Sequence, residues 1–276
     1  PVFLQYLLGL VGNVSLPDGT VVDGTNAAKV LMHDVYWNYP VEESDGIFAA
    51  VASAAFDKIL GGIGDVDVTK LVSAVERGAE EGRLIAWMKN DDEQNAIKEM
   101  NDRRLAARSG STRVKIPFAG VYFNNLSFSK LDWYLNADTQ IGQGIKNGDG
   151  TCSYRITVTL TNIMTQEEAG KLPDYVAASA PDAARDDERL NVSLFAPTGG
   201  NITDLTVEGT QFGLGAATWH GIPFYSGTVD LHAGRDDDDH IYADHVSRGG
   251  GQAAYAASDS YMPGGSRQRV GVGFFW

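Results

Sequence analysis

Apolar positions in the first hundred residues recur at helical spacing, whereas beyond about residue 112 they alternate with polar ones. In the opening PVFLQYLLGLVG, Phe3, Leu4, Leu7 and Leu10 share one helical face, and NVSLPDGTVV then sets two short β-branched runs around a Pro-Asp-Gly turn. GTNAAKVLMHDVYWNYP predicts a helix with Thr25 or Asn26 as N-cap, apolar contacts from Ala27, Val30, Leu31, Val35 and Trp37, and a stop at Pro40. SDGIFAAVASAAFDKILGGIG predicts a second, capped by Ser44 and ended by Gly61 and Gly62. A third covers about Val68 to Gly82. It leads into an apolar strand, RLIAWMK, and then a short helix, DEQNAIKEMN, capped by Asn90 or Asp91.

The small polar run AARSGST marks a domain boundary, after which the period becomes two. VKIPFAGVYF, KLDWYLNA, CSYRITVTLTN, LNVSLFAP, NITDLTVEG and GIPFYSGTVDLH are rich in Val, Ile, Thr and aromatics and are separated by Gly, Asn or Pro, the signature of a β-sandwich. A polar, Ala/Pro-rich insertion, about residues 165–189, reads as a long surface loop. The Gly- and Ser-rich tail, residues 248–276, is expected to be partly disordered. Its aromatic end VGVGFFW resembles the last strand of an outer-membrane barrel, but the helical first half and the lack of repeated amphipathic strands argue against one.

Composition narrows the partners. The 276 residues carry a net charge of −14, shared by both halves, so neither offers the basic surface that nucleic acid or an anionic membrane attracts. One cysteine, Cys152, excludes an intrachain disulfide and a cysteine-based zinc cluster. The apolar opening is about 12 residues, short of the roughly 20 that span a bilayer, and no signal peptide is visible.

No Gly-x-Ser-x-Gly elbow, His-Glu-x-x-His helix or Walker loop occurs, and GQGIKNG reads as a hairpin turn at Asn147 and Gly148. Two places carry candidate chemistry. His33, Asp34 and Tyr36 near the end of a helix form one: His33 could be a general base or ligand oriented by a carboxylate, though the favoured reading sends His33 and Asp34 to solvent while Val35 and Trp37 pack inward. The other is AGRDDDDHIYADH. As a hairpin tip it pairs His232 with His240, Asp230 with Tyr242 and Thr228 with Asp244 on the solvent face, where two histidines could take a divalent ion opportunistically. In KLDWYL, strand alternation puts Leu131, Trp133 and Leu135 on a core face and Tyr134 on an exposed one that could stack on carbohydrate.

The segments LQYLLGLVGNVSLPDGTVVDGTNAAKVLMHDVYWNYP, FDKIL, GVYFNN, SKLDWYLN, SYRITVTLTN and LPDYV resemble the domain-of-unknown-function family 4012 of Gram-positive, high-GC bacterial envelope proteins, over about residues 1–245. That resemblance implies an extracellular protein of the cell envelope, with more of the first domain and a membrane anchor lying outside this sequence. It supplies no catalytic residues. A more distant similarity, over VSLPDGTVVDGTNAAKVLMHDVYW and FAAVASAAFDKIL, is to the LytR-CpsA-Psr phosphotransferases that join glycopolymers to peptidoglycan. Where that family places arginines to bind pyrophosphate, this chain has Met32, His33, Asp34 and Tyr36, without the guanidinium fork.

The expected fold is therefore α+β in two domains. A truncated LytR-CpsA-Psr-like α/β domain over residues 1–108 precedes an immunoglobulin-like antiparallel β-sandwich over residues 113–247. The expected function is a non-catalytic or vestigial module that binds or scaffolds envelope polysaccharide or lipid-linked glycan, with no cofactor. A glycopolymer phosphotransferase and an adhesion or spacer module are the alternatives.

Overall fold

The computed structural model describes residues 2–61, 67–80, 83–84, 86–97, 120–196, 200–207, 210–211, 215–219, 222–234, 239–248 and 272–274. These fall into two compact units that are not two consecutive stretches of sequence. The first gathers Pro1–Ile85, Phe128–Trp133 and Gln166–Asp186; the second holds Ala86–Ser127, Tyr134–Thr165 and Asp187–Trp276.

In the first unit, α1 (Val2–Val11) precedes a two-stranded antiparallel sheet of β1 (Val14–Ser15) and β2 (Val21–Val22), as the Pro-Asp-Gly turn predicts. Three abutting helical segments follow: α2 (Ala27–Lys29), a π-helical turn (Val30–Asp34) and α3 (Val35–Asn38). Asn26 holds the N-cap position, as expected, but without a side-chain capping bond, and Asp23 orders the turn that leads into it. The Asp23 Oδ1 accepts the Thr25 and Asn26 N–H groups at 2.7 and 3.2 Å and the Thr25 hydroxyl at 2.6 Å. The Asn26 amide turns back instead, accepting from Asp23 N and donating to Val21 O. The Ala28 N–H, in the first helical turn, donates to Gln5 Oε1 of α1 at 2.8 Å.

The next helix, α4 (Val41–Gly61), starts three residues before its predicted cap: Pro40 directly precedes it and accepts the Glu43 N–H, leaving Ser44 buried within the first turns. In α5 (Val68–Glu80), the Thr69 and Lys70 N–H groups donate to Asp67 Oδ1. No strand forms among the described residues of RLIAWMK, and Trp87 is 77% exposed. Apolar content alone does not make a strand where no neighbouring strand pairs with it. The short helix after it, which belongs to the second unit, is present as α6, residues 91–97, with Asn90 Oδ1 accepting from Asp92 N and Glu93 N.

The core of the first unit joins Leu8, Leu16, Val22, Ala27, Val30, Leu31, Val35, Ile47, Val51 and Ala55. Gly24 sets how closely its parts approach, since a β-carbon there would lie 2.4 Å from the Gly9 Cα of α1. The insertion expected as a surface loop belongs to this unit and is partly buried. After α7 (Gln166–Ala169), Leu172, Val176 and Ala177 are buried, and the Arg185 guanidinium donates to Leu172 O at 2.7 Å.

The second unit is two sheets on one apolar core. The five-stranded sheet runs β10 (Gly215–Trp219), β11 (Ile222–Leu231), β7 (Glu188–Phe195), β3 (Gly120–Asn125) and β13 (Val272–Phe274), antiparallel except for the parallel β13–β3 pair. The other sheet runs β4 (Leu135–Ile141), β6 (Thr151–Asn162), β12 (Asp239–Arg248), β8 (Asn201–Val207) and β9 (Thr210–Gln211), with β5 (Ile145–Lys146) beside β6. Alternation supplies the core: Ile156, Val158 and Leu160 from one sheet meet Phe123, Leu190, Val192, Leu194, Val229 and Leu231 from the other. The residue types that alternate in the sequence are thus the residues that become buried.

Three expectations change here. Leu131–Tyr134 forms a 3₁₀ turn before β4, and Tyr134 is 3% exposed instead of presented to solvent, because such a turn does not send alternate side chains to opposite faces as a strand does. The GQGIKNG turn does link β5 to β6, but its left-handed position is Gly150 (φ +83°) and not Gly148. The strands flanking the aspartate run do not pair with each other: β11 lies in the five-stranded sheet and β12 in the other. Asp230 is opposite Arg189 and Thr228 opposite Asn191, while His240 is opposite Thr159. Alternation fixes which face of a strand is buried but not which strand it pairs with. The remaining aspartates, 236–238, and most of the tail lie outside the described residues.

Gly24→Ala is expected to destabilise the protein by about 1–3 kcal/mol through overpacking against Gly9. Gly46→Ala, in α4 with open space around it, is expected to stabilise by about 0.5–1 kcal/mol. Chemical denaturation midpoints of the two variants should move in opposite directions.

Candidate functional site

The helix carrying the predicted residues is not a regular α-helix. The Val35 N–H reaches back five residues to Val30 O, which defines the π turn. One consequence is chemical. Residues five apart lie nearer one another's face in a π turn than in an α-helix, and Lys29 Nζ reaches Asp34 Oδ1 at 2.5 Å. The same oxygen lies 2.7 Å from His33 Nδ1. Asp34 thus sits between an ammonium and an imidazole, with its side chain 23% exposed and that of His33 16%.

His33 does not face solvent as the favoured reading held. Its ring stacks on Trp37 (centroids 5.4 Å apart, planes 22° apart) and tilts against Trp133 at 5.7 Å. Val35 is fully buried, as expected. Among the described residues, the buried Trp37 indole N–H finds no hydrogen-bond partner.

Tyr36 heads a second group. Its ring meets Phe48 edge-on at 5.7 Å and Tyr175 at 5.8 Å, and the Lys130 ammonium lies 5.4 Å from the Tyr36 centroid and 5.6 Å from that of Tyr175. Burial, and then the nearby Tyr175, Asp45 and Asp132, push the Tyr36 phenol above its ordinary 10.0. It therefore stays protonated at neutral pH. The Lys130 N–H donates to Val176 O at 3.0 Å, holding the lysine beside the Tyr175 segment. Tyr175 itself is 44% exposed.

Sequence reading found His33, Asp34 and Tyr36 but not Lys130, Trp133 or Tyr175 as their neighbours. The last three fall in segments assigned to the other domain, and no periodic signal links positions about a hundred residues apart.

The second predicted place divides. His232 Nδ1 lies 2.5 Å from Asp187 Oδ1, one step beyond the β7–β11 ladder in which Glu188 is opposite Leu231, and a forked Arg189–Asp230 pair (2.6 and 3.2 Å) follows on the same two strands. His240 belongs to β12 in the other sheet, so the cross-strand histidine pair does not form. Among the described residues no three His, Cys, Asp or Glu side chains converge as metal ligands.

The raised Tyr36 pKa gives a pH dependence. A phenol that ionises near 10.0 when unfolded but higher when folded favours the folded state fully below pH 10.0, and this contribution is lost as pH rises through the folded value. Tyr36→Phe should therefore lose stability less steeply than wild type above pH 10.0 when both are unfolded in urea across an alkaline series.

A family profile described as "Protein of unknown function (DUF4012)" matches residues 1–36, spanning α1, the β1–β2 hairpin and the helix as far as Tyr36. No curated protein matches the chain. Similarity to known proteins is thus shown over the stretch that builds the Gly9–Gly24 contact and carries His33, Asp34 and Tyr36 to their places.

Proposed function

We propose that this chain is a non-catalytic module of the bacterial cell envelope that binds or scaffolds glycopolymer on an aromatic face formed by Tyr36, Tyr175 and Lys130. The carrying observation is that group: a half-exposed tyrosine ring beside a partly buried one, with an ammonium over both. Sugar rings present C–H faces that pack on aromatic rings and hydroxyls that bond to phenol and ammonium groups, so a mixed face of this kind suits a polysaccharide. In this reading the two-sheet unit is an immunoglobulin-like support, and the protein acts outside the cell, held by an anchor beyond this sequence. Among the described residues no helix is long and apolar enough to cross a membrane.

Phosphotransfer is less well supported. On the phosphotransferase similarity expected from the sequence, Met32, His33, Asp34 and Tyr36 fall where that family's arginines would stand, and Asp34 pairs with Lys29. A pyrophosphate on that helix would meet a carboxylate where it needs a guanidinium.

Binding of the full chain to an array of envelope polysaccharides and peptidoglycan fragments tests the proposal. Tyr175→Ala should weaken the positive signals by roughly two- to tenfold, the size of one aromatic contact. An array without any signal from wild type would refute the binding reading and leave a spacer role.

A further inference from the structure

Phe128 combines two features that rarely coincide: its backbone is left-handed (φ +51°), and its ring is 77% exposed. A bulky residue with positive φ is strained, and such strain persists only where surrounding bonds enforce it. They do so here within the first unit: Phe128 O accepts from the Ser179 hydroxyl at 3.2 Å, Ser129 is buried, and Lys130 N is bonded to Val176 O. The phenylalanine is tied to the segment 176–179, and its ring stands exposed to solvent.

We infer that Phe128 is a preorganised stacking platform for a neutral polysaccharide, extending the face formed by Tyr175, Lys130 and Tyr36. This rests on the glycopolymer-binding reading and adds to it both a residue and a ligand class. Two observations carry it. The hydrogen bonds at Phe128 O and Lys130 N tie residues 128–130 to residues 176–179, so Phe128 and Tyr175 stand on two segments that are joined to each other. The ligand class follows from charge: the chain carries −14, and Asp45 and Asp132 lie close enough to Tyr36 to act on it, so a polyanionic glycan would be repelled as it approached. A rigid aromatic ring loses little freedom when it stacks, which is the advantage of holding it in place beforehand.

The test uses the full chain with a soluble glucan, mannan and galactan as neutral probes and polygalacturonate as the anionic one. Phe128→Asn suits the left-handed backbone and lacks the ring. It should unfold at a denaturant midpoint no lower than wild type, yet bind the neutral probe several-fold more weakly, while Phe128→Trp keeps binding. If wild type binds a neutral polysaccharide and Phe128→Asn binds it equally well, the platform is refuted and the module reading stands. If wild type binds none of the four, the neutral-polysaccharide platform falls, while the module reading is decided by the envelope-glycan array. Tighter binding to polygalacturonate than to every neutral probe overturns the ligand class, and a clear loss of stability in Phe128→Asn overturns the claim that the conformation is strained.

Discussion

The close approach of Gly9 and Gly24 governs the first unit. With no side chain at either position, α1 lies against the segment that leads into the next helix, and Gln5 on α1 then reaches the Ala28 N–H. Buried backbone donors need partners; that bond satisfies one in the first helical turn, and the Asp23 carboxylate orders the turn leading into it. Once that start is fixed, the positions of Lys29, His33, Asp34 and Tyr36 follow from the helical geometry. A side chain at residue 24 would shift α1 and the helix apart and disturb all four.

The π turn decides what those side chains do. In a regular α-helix Lys29 and Asp34 would lie farther off one another's face. The extra residue in the turn brings them nearer, the ammonium meets the carboxylate, and His33 is held between the Trp37 and Trp133 rings. Beside them the partly exposed Tyr175 ring lies against Tyr36, with the Lys130 ammonium near both.

In the second unit the constraint is the shared core. Strands from both sheets face inward with Val, Ile, Leu and Phe, so each strand is fixed by its buried face as well as by its ladder. The aspartate run follows from that arrangement. Because β11 and β12 belong to different sheets, the run connects the sheets instead of closing a hairpin, and its two flanking histidines are separated. His232 finds Asp187 on the adjoining strand, a contact that extends the β7–β11 edge by one more pair.

The sequence by itself determined the helical and alternating halves, the helices near residues 2–11, 27–38, 41–61 and 68–80, the β1–β2 hairpin, and the inward faces of β6, β7 and β11. These are local properties, set by periodicity and by turn residues a few positions apart. It also brought out His33, Asp34 and Tyr36, because unusual residue types are visible on a helix without knowing its neighbours. Only the tertiary structure decided the rest. It assigned residues 128–133 and 166–186 to the first unit, set Tyr175 and Lys130 against Tyr36, turned Leu131–Tyr134 from a strand into a 3₁₀ turn, and sent β11 and β12 to different sheets. Each of these depends on contacts between distant parts of the chain, where many partners satisfy the same local pattern and only the packing of the whole unit selects one.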